Sequence, residues 1–229
     1  LAAANLSLPE GFDQVVRLFP LPNLVLFPGL VQALHIFEPR YRQLMADALD
    51  SDQLISLALL QSPAGAESAE SIFSTICIGK IVSHAKTDDG RYNLILAGLC
   101  RARVIEEMPR KRLYRMAKIE LPAEVEVDSS EDERELRNQV VKLCRQQLAG
   151  AGRLPNEEIS KWLESEIPLG SLCDLVTFVS SANPMDHLRV LEEFDIRARA
   201  ELLIELLANQ PVNPPAVRGD QFPPNFSAN

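Results

Sequence analysis

Long apolar runs are missing from this 229-residue sequence, and with them the ~18–20 consecutive apolar residues that a bilayer-spanning helix requires. Leu1 to Gly11 contains neither a basic stretch nor a sustained apolar one. No signal peptide is expected there, and a cytoplasmic location is the reading that follows. Positive charge is also short: 23 Lys and Arg stand against 32 Asp and Glu, for a formal net charge of −9. General nucleic-acid binders neutralise phosphates with an excess of cations, so that class is disfavoured. Histidine occurs three times, at His35, His84 and His187, with no ligand spacing linking them, and no metal site is expected. Cys77, Cys100, Cys144 and Cys173 are widely separated, which fits reduced, buried thiols better than disulfides or a zinc site.

Reactive signatures are missing as well. There is no Gly-x-Ser-x-Gly nucleophile elbow. A phosphate-cradling loop needs G-x-x-x-x-G-K-[ST], but Gly79-Lys80 is followed by Ile81, and Ser74 stands where the first glycine belongs. The single Trp162 offers no aromatic cage for a small molecule. No catalytic residue and no cofactor is therefore expected, and a non-enzymatic binding protein is the reading.

The hydrophobic content of 46% supplies a core, enough for one large domain or two small ones. The chain changes character near Leu121-Pro122. Before that point short apolar runs alternate with turn signals, and Val15–Phe19, Val31–Ile36, Leu54–Leu60, Thr75–His84, Arg91–Ala97, Ala102–Ile105 and Leu113–Leu121 read as strands. Turns are expected at Leu21-Pro22-Asn23-Leu24, at Phe27-Pro28-Gly29-Leu30 and at Asp88-Asp89-Gly90, where Pro presets φ and Gly or Asn accepts a positive one. One helix is inserted: Pro39 suits its first turn, and Tyr41, Leu44, Met45 and Ala48 fall on one face. Gln61–Ser71 reads as a loop. This order does not alternate βαβα, so a mixed, mainly antiparallel sheet or partly closed barrel is favoured.

Beyond Leu121 the periodicity is helical. Ser130 to Glu133 forms a capping-box pattern, after which Leu136, Val140, Leu143 and Leu148 line a face up to Gly150 and Gly152. Asn156 could cap a short helix, and Leu172–Ser180 reads as a buried one. Asn183-Pro184 starts a helix carrying Leu188, Leu191 and Phe194. Asp195 starts another with Leu202, Leu203, Leu206 and Leu207. The expected organisation is an α+β chain with a β-rich part over 13–122, a helical part over 129–209, and a Pro/Asn-rich tail over 210–229, read as disordered.

Two surfaces are candidates for binding. Leu24, Phe27, Leu30 and Phe37 lie near the two Pro turns and would seat a polypeptide if exposed, although Phe27 and Phe37 read as core rather than surface. Between Arg101 and Lys118, seven basic residues, Arg110, Lys111, Arg112 and Arg115 among them, stand against Glu106 and Glu107. They could face an acidic partner, or simply be neutralised by the acid-rich stretch from Ile119 to Glu135.

The segment Leu18-Phe19-Pro20-Leu21-Pro22-Asn23-Leu24-Val25-Leu26-Phe27-Pro28-Gly29, followed by Leu34-His35-Ile36-Phe37-Glu38-Pro39-Arg40-Tyr41-Arg42, resembles the start of the N-terminal domain of the Lon protease family. The resemblance continues through Ile78-Gly79-Lys80-Ile81, Asp89-Gly90-Arg91-Tyr92, Ala97-Gly98-Leu99-Cys100-Arg101 and the helical Leu202-Leu203-Ile204-Glu205-Leu206-Leu207, and covers roughly Val15 to Leu207. It implies a PUA-like pseudo-barrel followed by a helical subdomain, used to engage substrate proteins. It also implies a stand-alone version of that domain, without ATPase or peptidase parts. The expected partners are unfolded or extended polypeptides, or a separate protease or chaperone on which the chain docks as an adaptor. RNA binding through the PUA-like fold is the rival, and the chain is read as a monomer or weak homo-oligomer.

Overall fold

Apolar β-branched residues begin at Val15, and Val15–Leu21 forms strand β1. Strand β2 spans Val31–Ile36, helix α1 Pro39–Leu49, β3 Leu54–Leu60, β4 Ile72–Lys86, β5 Tyr92–Glu107 and β6 Arg115–Glu120. Helix α2 spans Ser130–Gly150, α3 Leu169–Val179, α4 Pro184–Glu192 and α5 Ile196–Asn209. This computed structural model describes residues 7–61, 71–150, 161, 163, 165–180 and 183–209. The loop read at 61–71 (apart from its ends), Gly152, the helix capped by Asn156, Trp162 and the tail read at 210–229 lie outside the described residues. The chain divides between Pro122 and Ala123 into two compact units.

In the first unit the six strands form one sheet in the order β2-β5-β4-β3-β1-β6, and β6 pairs back onto β5. That last pairing closes β5, β4, β3, β1 and β6 into a ring. Only β1 and β3 run parallel; the other pairs are antiparallel. β3 is buried along its whole length, as suits an uninterrupted apolar run flanked by neighbours on both sides. Val16, Leu18, Leu54, Ala58, Ile76, Ile78, Ala102, Ala117 and Ile119 form the ring's core. On α1 the buried residues are Tyr41, Leu44, Met45 and Ala48, the face its spacing predicts. Phe19 meets Tyr41 edge to face at 4.4 Å.

Several strand boundaries differ from the sequence reading, β4 extending to Ile72–Lys86 and β6 contracting to Arg115–Glu120. β1 runs through Pro20 to Leu21. Its pairing with β6 stops at Leu18, so Pro20 has β3 alone as a neighbour, an edge position where a missing N–H is tolerated. The predicted strands Arg91–Ala97 and Ala102–Ile105 are one strand, β5. Gly98 does not break it; a bulge shifts the register against β4 between Ile78 and Gly79. The turns at Gly29 (φ +75°) and Gly90 (φ +79°) take the positive φ expected of them. Leu30 N donates to Phe27 O at 3.3 Å, closing the first.

In the second unit α2 is capped by Ser129, one residue before the predicted serine: its Oγ accepts from the amide of Asp132 at 3.4 Å. The buried face of α2 is Leu136, Val140, Cys144 and Leu148, with Leu143 only partly buried, because a strict i+4 step holds the face through Cys144. Asn183 caps α4 by accepting from Met185 N and Asp186 N. Asp195 caps α5 through Ala198 N at 3.0 Å. The α5 face is Ile196, Arg199, Ala200, Leu203 and Leu207; of the four leucines predicted, Leu203 and Leu207 belong to it and Leu202 and Leu206 are only partly buried. Arg199 is fully buried. It donates to Glu193 O at 2.8 Å and to the Glu124 carboxylate, and lies 3.8 Å from Asp174 Oδ1. Val125 N donates to Phe194 O and Ile196 N to Val125 O, both at 2.9 Å, bridging residue 125 to the α4–α5 turn.

Candidate functional site

Among the described residues β2 pairs with β5 on one side only. Gly98 N donates to Leu30 O at 2.8 Å, and in an antiparallel pair bonded and non-bonded residues alternate from there. Gln32, Leu34 and Ile36 therefore bond inward to Leu96, Leu94 and Tyr92, while the amides and carbonyls of Val31, Ala33 and His35 point to the outer edge. Gln32 Nε2 reaches round to Ala33 O at 2.9 Å, as that alternation requires. An outer edge is usually guarded by charge, proline or a bulge. The strand Val-Gln-Ala-Leu-His-Ile contains none of the first two, and its register with β5 is unbroken.

The side chains beside this edge share a face. His35 Nδ1 and Asn93 Oδ1 lie 2.6 Å apart across the pair, and His35 stacks on Phe37 at 6.1 Å between centroids. Val31 (56% exposed) and Phe37 (45%) stand at the two ends of the row. Ala33 lies between them, and Ile95, opposite Ala33 on β5, is half-buried. The result is an uncharged strip bordered by backbone groups that, among the described residues, pair with no further strand, suited to accepting an extended chain by strand addition.

Of the four apolar candidates from the sequence, only Phe37 is exposed. Leu24 and Leu30 are half-buried. Phe27 is fully buried and so is no contact surface; its carbonyl lies against Gly98, which packs the turn onto β5. Val31, Ala33 and Ile95 were not singled out by sequence reasoning. The signal available was the charge-free alternation from Val31 to Phe37.

The basic stretch is largely neutralised by its own neighbours. Arg101 is buried. Arg103 pairs with Glu120 at 3.0 Å, Lys118 with Glu106 at 3.6 Å and Arg112 with Asp47 at 3.4 Å. Arg115 Nε donates to Glu107 Oε2 at 2.8 Å. Arg110 and Lys111 are exposed, and among the described residues no carboxylate pairs with either. The loop that carries them is held to α1: Leu113 N donates to Gln43 Oε1 at 2.8 Å, and the Tyr114 hydroxyl to Asp47 Oδ2 at 2.7 Å. Burial first, then the bond to Asp47, push the Tyr114 hydroxyl above the usual tyrosine range.

Among the described residues no group of three or more His, Cys, Asp or Glu is placed to hold a metal, and no helix is long and apolar enough to cross a membrane. None of the four cysteines is joined in a disulfide. Burial pushes the Cys144 thiol up to about 11 and raises that of Cys100. Reactivity follows thiolate and access, so alkylation at neutral pH is expected to mark the half-buried Cys100 first. Cys77, Cys144 and Cys173 should follow only as the protein unfolds. Mass spectrometry of timed samples checks this; early label on Cys77 would mean that β4 opens in the native state.

The family model described as the ATP-dependent protease La (LON) substrate-binding domain matches residues 15–209. The chain is 28% identical over 209 residues to Lon protease 2 of Myxococcus xanthus and 24% identical over 206 residues to the Lon protease of Dictyoglomus thermophilum, covering 90% of itself in each case. It spans about a quarter of the length of these curated relatives, 25% and 26%. Among solved structures, the N-terminal domain of the Mycobacterium avium complex Lon protease superposes with a TM-score of 0.69 at 17% identity, covering 86% of this chain and 100% of that one. The Lon N-terminal domain protein from Xanthomonas campestris gives 0.61 at 21% identity, covering 86% and 99%. At these identities the two structures bear on the fold.

Proposed function

Since the chain belongs to the family of LON substrate-binding domains, we propose that it recognises polypeptides by taking an extended segment onto the outer edge of β2, and that it does no chemistry on them itself. The observation that carries this is the unguarded edge. Val31, Ala33 and His35 offer backbone donors and acceptors beside an uncharged strip, where edges are ordinarily protected. Strand addition draws affinity from main-chain bonds and selectivity from alternate side chains, which suits a module that meets many unfolded sequences. Four cysteines outside any disulfide fit a reducing compartment, in keeping with work in the cytoplasm.

Titrating a labelled, permanently unfolded polypeptide with the protein should raise its fluorescence anisotropy. Ala33→Pro is the discriminating variant. Its amide faces outward, so the β2–β5 ladder keeps its bonds while the edge loses a donor. Val31→Lys adds a charge to the same edge. Each is expected to weaken binding about tenfold, on the scale of one lost bond of ~1 kcal/mol plus lost apolar contact. Wild-type affinity in both, with the fold intact by circular dichroism, would move the site elsewhere.

A further inference from the structure

The loop between β5 and β6 differs in two respects from the rest of its surroundings. The cations along β5 and β6 that lie at the surface are matched by carboxylates, whereas Arg110 and Lys111 are matched by none among the described residues. Beside them Leu113 is 63% exposed, so an apolar side chain and two uncompensated positive charges share one short turn. The turn is also held in place. Leu113 N is bonded to Gln43, and Tyr114, itself buried, is bonded to Asp47. A pre-positioned contact loses less entropy on binding than a free loop would.

Its position relates it to β2. The chain leaves β2 at Ile36 and enters α1 at Pro39, with exposed Phe37 between. Gln43, which holds the loop, lies four residues further, about 6 Å along the helix. Phe37 and the loop are thus joined through one short stretch of chain and the bond from Leu113 N to Gln43 Oε1, close enough for one bound segment to touch both.

We infer that the loop Arg110–Leu113 is a second contact for the bound polypeptide, and that it selects segments whose apolar core is flanked by acidic residues. This rests on the reading of β2 given above. Charge complementarity with two cations favours a few carboxylates, whereas the overall charge of −9 disfavours a long polyphosphate backbone. Single-stranded nucleic acid would in addition want aromatic platforms for its bases, and the exposed side chain here is a leucine.

The test uses the full chain and three labelled peptides sharing one strand-forming apolar core, flanked by Glu and Asp, by Gln and Asn, or by Lys. Wild type is expected to bind the acidic peptide about tenfold more tightly than the neutral one at low salt, the difference fading as ionic strength rises. The double variant Arg110→Glu, Lys111→Glu removes no native ion pair. It should lose the preference while binding the neutral peptide as before. Ala33→Pro should weaken both peptides equally and keep their ratio. Equal affinity for acidic and neutral peptides in wild type overturns the inference and leaves the β2 reading standing. No binding of any peptide overturns both. Retention of single-stranded RNA that the double variant loses would give the loop to nucleic acid, and self-association lost in that variant would give it to a second copy; either result overturns the inference.

Discussion

Alanine at position 98 is expected to cost this protein about 3 kcal/mol or more of stability, at the upper end for an added methyl in a packed core. A Cβ there would sit 2.1 Å from Phe27 O and 2.8 Å from Phe27 C. Those atoms belong to backbone that is already tied down, since Gly29 N donates to Gly98 O at 2.9 Å and Gly98 N to Leu30 O at 2.8 Å. Relief must come from moving the turn at 27–30, and that turn sets where β2 begins. Two other glycines provide a scale. At Gly79 a Cβ would meet Leu96 Cγ at 2.6 Å and Leu26 Cδ2 at 3.0 Å; these are side chains, which yield more readily, so a smaller loss is expected. At Gly29 there is open space but φ is +75°, and alanine there should cost about 1–2 kcal/mol of backbone strain. Urea unfolding midpoints should therefore fall in the order Gly29→Ala, Gly79→Ala, Gly98→Ala, the last lowest. If Gly98→Ala unfolds at the wild-type midpoint, the turn is not packed on β5 as described.

Removing Arg199 should be as damaging to the second unit. Its side chain is wholly enclosed, Asp174 beside it is 2% exposed, and the Glu124 carboxylate completes the group. Taking away the enclosed cation removes the positive charge that faces buried Asp174, at a cost of about 3–5 kcal/mol. Arg199→Met keeps the volume and removes the charge, and it should lower the unfolding midpoint sharply. Adding Asp174→Leu to it should recover part of the loss, because the stranded carboxylate goes too. A double variant no more stable than Arg199→Met would mean that the hydrogen bond to Glu193 O, rather than the charge pairing, carries the contribution.

Where the pattern was local, it could be read before the structure. Four residues at helical spacing on α1 are the four that are buried, and glycine at positions 29 and 90 marks two turns that take a positive φ. Adjacent serines at 129 and 130 could not be told apart as caps, since either offers the same hydroxyl one residue out of step. Gly98 reads as a strand break by type, yet it is there because a carbonyl comes too close for a side chain. An arginine at 199 among leucines reads as solvated; its partners Asp174 and Glu124 are remote in sequence and known only from the packing. The candidate edge was hidden for a related reason. No local feature of Val31–Ile36 says that one flank lacks a neighbour, and the pairing of Glu106 with Lys118 emerges only once β5 and β6 are in register.

The ring of β5, β4, β3, β1 and β6 is complete without β2, which shares a flank of β5 with β6 but occupies a different half of it. Detaching β2 would thus cost its own bonds and leave the barrel shut. The unit holds two tiers of cohesion: a frame that stands or falls as a whole, and an attached ribbon whose release would leave that frame standing.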